Sequence, residues 1–191
     1  MRRTFVNVRL ASPLNWALAK PAGFRPVCPD MERTTERLET NSAAETQALA
    51  ARLAGELPDG AVLCLHGDLG AGKTCFVQGL AKALGVRRPV GSPTFTLINE
   101  YQGRRGLAHI DLYRVRGAGD AFGLGLEDYL FRFRGIVAIE WAERVADLLP
   151  EACWHVRLAA GAAAESRTVT VERPATKSGD SDPLVVATTR L

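Results

Sequence analysis

Ala61-Val62-Leu63-Cys64-Leu65-His66, followed without a break by Gly67-Asp68-Leu69-Gly70-Ala71-Gly72-Lys73-Thr74, decides the fold. The first six residues are a short, nearly continuous apolar run, the pattern of a strand buried on both faces. The next eight satisfy G-x-x-x-x-G-K-[ST] in full. Glycines let such a backbone curl so that successive N–H groups point inward at a phosphate, and the helix that follows adds its positive end. Lys73 would reach the β- and γ-phosphates, and the Thr74 hydroxyl would ligate Mg²⁺. Downstream, Phe76, Val77, Leu80 and Leu84 recur at helical spacing until Gly85. That strand–loop–helix context separates a phosphate loop from a glycine-rich turn that happens to contain a lysine.

Upstream of the loop, Ser42 and Glu45 match a capping box, in which each side chain satisfies the other's free backbone N–H. Leu49, Leu53 and Leu57 continue that helix until Pro58-Asp59-Gly60 stops it. On the other side, Thr94–Tyr101 and Leu107–Tyr113 read as strands flanking the turn Gln102-Gly103-Arg104-Arg105-Gly106. Leu126–Phe131 reads as a short helix, Ile136–Ile139 as a buried strand ending on Glu140-Trp141, and Val156–Leu158 with Thr168–Val171 as a last hairpin. Buried strands alternating with helices specify an α/β class. The expected architecture is P-loop NTPase-like, a mixed, mainly parallel sheet flanked by helices with β-hairpin additions.

A phosphate loop needs further parts, a carboxylate near the metal and a group that handles water or substrate. Glu140 closes an apolar strand, where a metal-side carboxylate is expected; the plainer alternative is a charged residue where a strand meets solvent. Asp111 lies in Ala108-His109-Ile110-Asp111-Leu112-Tyr113-Arg114, where Ile110 and Leu112 face one side and Asp111 and Tyr113 the other. Alone it reads as a solvated strand residue; beside a phosphate loop it becomes a candidate acid. No N-K-x-D string occurs, so the guanine-recognition element of GTPases is missing.

The 191 residues have 47% hydrophobic and 24% charged side chains, ordinary values that exclude wholesale disorder. No apolar run approaches the ~18 residues that span a bilayer. Four cysteines without a C-x-x-C pair argue against zinc or a disulfide framework and suit a reducing cytosol. The net charge of +3 is deceptive, because Arg2, Arg3, Arg9, Lys20 and Arg25 against Asp30 put +4 into the first 30 residues. The body is therefore close to neutral, and nothing in it predicts DNA binding. Residues 1–39 read as an N-terminal extension, either flexible or an upstream start before Met31. Residues 40–174 read as the catalytic-type domain and 175–191 as a C-terminal tail.

Gly67–Thr74, Ser92-Pro93-Thr94-Phe95-Thr96-Leu97, Asp111-Leu112-Tyr113-Arg114 and Glu140-Trp141, in that order, resemble the TsaE (YjeE) family over about residues 40–172. The resemblance implies a cytoplasmic, weak ATPase of bacterial tRNA threonylcarbamoyladenosine synthesis that binds ATP or ADP with Mg²⁺. It implies action on the TsaD–TsaB complex, which modifies adenosine 37 of tRNAs reading ANN codons, with tRNA met through that complex. Lys73 and Thr74 resemble the family's phosphate and Mg²⁺ contacts, Glu140 its metal-side carboxylate and Asp111 its other functional acid. Ser92-Pro93-Thr94 resembles a switch-like segment facing the γ-phosphate, and Trp141 the tryptophan beside the metal-side Glu. Cys75 departs from the family, which commonly has Thr or Ser there; its backbone N–H could still serve the α-phosphate.

Two other readings stay open. A small-molecule kinase would use Arg114, Arg116, Arg132 and Arg134 as a lid, and a nucleotide-gated binding module would need no turnover. His66 and His109 read as satisfied core or edge histidines, and Arg87-Arg88 and Arg104-Arg105 as solvated turn residues rather than contacts to a partner or to tRNA phosphate.

Overall fold

The computed structural model describes residues 33–174; the expected C-terminal tail and all but the last residues of the expected N-terminal extension lie outside the described residues. In chain order the strands are β1 (Thr34–Thr40), β2 (Val62–His66), β3 (Ile98–Tyr101), β4 (Gly106–Asp111), β5 (Gly135–Glu140), β6 (Trp154–Ala160) and β7 (Arg167–Arg173). They make one sheet, β1-β7-β6-β2-β5-β4-β3. The central strands β6, β2, β5 and β4 run parallel, while β1, β7 and β3 are added antiparallel at the edges. The sheet is thus mixed, with the parallel centre expected of the α/β reading and hairpins on both flanks.

Alternation along the strands divides the core. Leu63, Leu65, Ile136 and Ala138 face α1 (Ala43–Glu56) and α2 (Lys73–Ala83), where Leu53, Phe76, Val77 and Leu80 close one cluster. Val62, Cys64, Val137 and Ile139 face α3 (Ala118–Phe122), α4 (Leu126–Arg132) and a 3-10 helix, Ala142–Leu148. Residues 62–65 and 135–140 are buried throughout because both faces of the sheet are covered.

Helix α1 starts where the sequence places it. Ser42 Oγ accepts the Glu45 N–H at 3.1 Å. The reciprocal bond differs from a strict capping box, since Glu45 Oε2 accepts from the Asn41 N–H at 2.8 Å and not from Ser42. Helices α1 and α2 approach so closely at Gly79 that a Cβ there would collide with the Gln47 carbonyl oxygen.

Three local expectations are corrected. Strand β1 lies within the segment read as extension, because Thr-Thr-Glu-Arg-Leu-Glu-Thr has no apolar period and is held by its ladder to β7. The folded chain therefore begins before the boundary drawn at residue 40. Thr94–Leu97 is a turn and not the start of β3; Leu97 takes φ 64° and its N–H bonds the Pro93 carbonyl at 2.6 Å. Strand β4 stops at Asp111, two residues short of Tyr113. Neither α3 nor the 3-10 helix is announced by sequence periodicity, each being too short to show one.

Candidate nucleotide site

Strands β2, β4 and β5 end side by side, and their carboxyl ends form the floor of a crevice, the usual ligand position in an open parallel sheet. Residues 67–72 curl out of β2 and return as α2. Gly67, at φ 136°, leaves no room for a side chain, since a Cβ would strike the Leu158 carbonyl oxygen. Gly72, at φ 104°, caps α2 in a left-handed conformation open to glycine. Arg167 on β7 braces the loop from behind, its Nε donating to the Ala71 carbonyl at 3.1 Å.

The buried Lys73 ammonium donates to the Gly67 and Asp68 carbonyls at 2.5 and 2.9 Å and lies 4.0 Å from the Trp141 ring centre. Burial pulls its pKa below the usual lysine value, while the charges of Glu140, Glu143, Asp111 and Asp68 oppose that shift. Trp141 holds this position through a left-handed backbone, φ 60°, uncommon outside glycine and characteristic of constrained sites.

Asp111 and Glu140 are direct neighbours across the parallel β4–β5 ladder, and both are buried. Two carboxylates so placed repel each other, and donors hold each one. Glu140 Oε1 accepts from Thr74 Oγ1 at 2.8 Å and lies 2.9 Å from His109 Nε2. Asp111 Oδ1 accepts the Tyr113 N–H at 2.9 Å, and its Oδ2 accepts Ser92 Oγ at 2.9 Å and Thr94 Oγ1 at 2.6 Å. Asp111 therefore anchors the turn that carries Ser92, Pro93 and Thr94.

Leu69, Gly70, Gly72, Lys73, Thr74, Cys75, Ser92, Thr94, Asp111 and Glu140, together with Tyr113 and Trp141, line a cleft of about 370 Å³. Gly67, Asp68 and Ala71 frame it from behind, their carbonyls holding Lys73 and Arg167. The donors around Thr74 and Glu140 are hydroxyl and carboxylate oxygens, a set that suits a hard cation such as Mg²⁺. Loop N–H groups at the start of α2 suit phosphate.

The TsaE family model, "Threonylcarbamoyl adenosine biosynthesis protein TsaE", matches residues 40–169. The chain belongs to the TsaE family. Its relatives include the TsaE proteins of Treponema pallidum, 44% identical over 60% of this chain and 84% of that one, and of Bacillus subtilis, 44% identical over 59% and 70%. The crystal structure of Bacillus subtilis YdiB is similar in fold, with a TM-score of 0.63 at 35% identity, covering 74% of this chain and 87% of that one. Family membership gives the chain a part in tRNA threonylcarbamoyladenosine biosynthesis, and the fold is the expected P-loop NTPase-like α/β fold.

Within this TsaE fold, sequence reading missed the contacts that two side chains make with the site. Arg167 lies 96 residues from the loop it braces, and His109 meets Glu140 across 31 residues; neither spacing is visible in a linear motif. His66, just ahead of the loop, is satisfied as expected, by Glu143 at 3.1 Å and His155 at 2.9 Å. Three of the four paired turn arginines are also accounted for. Arg104 bonds the Ala83 carbonyl, Arg105 bonds Asp59 and the Leu57 carbonyl, and Arg88 bonds the Glu100 carbonyl.

Proposed function

We propose that this chain binds ATP with Mg²⁺, hydrolyses it weakly, and acts on the TsaD–TsaB complex as an accessory ATPase for threonylcarbamoylation of adenosine 37 in tRNAs reading ANN codons. It is not itself the transferase, and it meets tRNA through that complex in the cytoplasm. The observation that supports this reading best is the bond from the Thr74 hydroxyl to Glu140 at the mouth of a complete phosphate loop. That bond sets the Thr74 hydroxyl beside a carboxylate in the lining of the cleft, the pair of oxygen groups a nucleotide-bound Mg²⁺ calls for.

In this reading the loop N–H groups and the α2 N-terminus bind the phosphates, and Lys73 exchanges the Gly67 and Asp68 carbonyls for phosphate oxygens. Thr74 and Glu140 would hold Mg²⁺, which when bound neutralises charge developing on the β- and γ-phosphate oxygens. Asp111 keeps Ser92 and Thr94 at the cleft edge, where their hydroxyls can meet a terminal phosphate. Trp141 covers the lysine and limits water access from one side.

The kinase reading gains no support, because none of its candidate lid arginines lines the cleft. Arg116 pairs with Asp120, Arg132 with Asp128, and Arg114 stacks on Phe95. ATP hydrolysis by the purified chain, with and without its cognate TsaD–TsaB complex and tRNA, tests the proposal. Low basal turnover that rises with the complex is expected. Turnover indifferent to the complex, with modification proceeding in this protein's absence, would leave only the nucleotide site. Phosphate transfer to a small acceptor would establish the kinase instead.

A further inference from the structure

We infer that His109 is a positioning residue that holds Glu140 in register for the metal, an inference that rests on the Mg²⁺–nucleotide reading above. His109 sits on β4 two residues before Asp111, so both side chains leave the same face of the sheet. It is fully buried, and its Nε2 lies 2.9 Å from the Glu140 Oε1 that also accepts Thr74. Its other nitrogen, Nδ1, is buried without a hydrogen-bond partner among the described residues.

That imbalance argues against a packing role. An imidazole kept only to fill space would leave a buried polar atom unsatisfied, and leucine or phenylalanine would fill the same volume without that penalty. The nitrogen that is satisfied meets the carboxylate oxygen that also accepts Thr74. With no partner for Nδ1 among the described residues and a carboxylate oxygen at Nε2, the hydrogen-bond network assigns the N–H to Nε2.

The geometric effect follows. Glutamate has one more rotatable bond than aspartate, so a glutamate at the end of β5 needs tethering to present a defined oxygen. Thr74 reaches Oε1 from the start of α2 and His109 reaches it from β4. Donors from two elements fix the carboxylate plane, and Oε2, which bonds nothing among the described residues, is left to face the cleft that Glu140 lines. Hydrogen-bond partners of this kind around metal-binding carboxylates change metal affinity by about 10–100-fold when removed.

The test uses the full chain with H109Q, H109N and H109L. A glutamine amide nitrogen reaches the place of ring Nε2, an asparagine nitrogen only that of Nδ1, and leucine removes both. Mn²⁺ binding at saturating ADP is read by electron paramagnetic resonance, ADP affinity in EDTA by calorimetry, and stability by thermal unfolding. We expect H109N and H109L to bind Mn²⁺ about 10-fold more weakly, H109Q to recover most of that loss, and ADP affinity in EDTA to stay unchanged. H109L should unfold no earlier than the parent chain, since it removes the orphaned nitrogen. Mn²⁺ affinity within two-fold of the parent in H109N, or an H109Q as impaired as H109N, would overturn the inference while leaving the nucleotide reading intact. A parent chain that binds neither ADP nor Mn²⁺ would overturn both. If H109L fails to fold, the contrast between glutamine and asparagine decides alone.

Discussion

At the residue scale, the site is a set of charges that would be unstable apart. Lys73 loses its hydration and Asp111 and Glu140 lie next to each other, so each survives burial through named donors or acceptors. Lys73→Ala is expected to weaken nucleotide binding by about ten-fold or more in a calorimetric titration, because it removes the cation that would face bound phosphates; unchanged affinity would undo the phosphate-loop assignment. Glu140→Gln should bind nucleotide nearly as well in EDTA and lose Mg²⁺-dependent turnover, and equal turnover would take Glu140 out of the site. The loop and Glu140 were legible in the sequence because a phosphate loop has fixed local spacing and because a carboxylate ending an apolar strand stands out. His109 was not, because its partner is on another strand and its surroundings read only as core.

At the element scale, α2 carries Lys73 and Thr74, and its placement depends on close contact with α1 at Gly79. Gly79→Ala should force the helices apart and destabilise the fold by about 1–3 kcal/mol, visible as a lower midpoint in urea unfolding. A midpoint that does not move would mean α1 shifts freely. The Ser92–Leu97 turn is held by Asp111 alone among the site carboxylates. Replacing Ser92 and Thr94 together with alanine and valine should speed amide exchange across residues 92–97 and leave exchange in β2 unchanged. Uniform exchange rates would show that the turn is held by other means. Its extended reading from sequence failed for a local reason, since Thr94-Phe95-Thr96-Leu97 has strand-like residue types but takes its shape from the Asp111 carboxylate and a left-handed Leu97.

At the scale of the whole molecule, stability should depend on pH through a pair of histidines behind the loop. Burial, with Arg33 adding to it, pushes His155 down to about 4 from an ordinary 6.5, and burial lowers His66 as well. The unfolded chain takes up these protons first, so stability is complete above about pH 6.5 and is lost as pH falls toward about 4. Thermal unfolding between those limits should show a declining midpoint, and His155→Gln should flatten it; an equally steep decline would assign the effect to carboxylates. The strand–loop–helix at 61–84, the α/β class, the buried central strands and the family are readable from the linear chain, because each is written in local spacing or in apolar runs that must be covered on both faces. The polar strand β1 completing the sheet, the grip of Asp111 on the Ser92–Thr94 turn, and the contacts of Arg167 with the loop and of His109 with Glu140 come from the folded chain alone. Those four depend on partners far away in the chain, and a polar side chain reveals its role only when the fold brings its partner within hydrogen-bond reach.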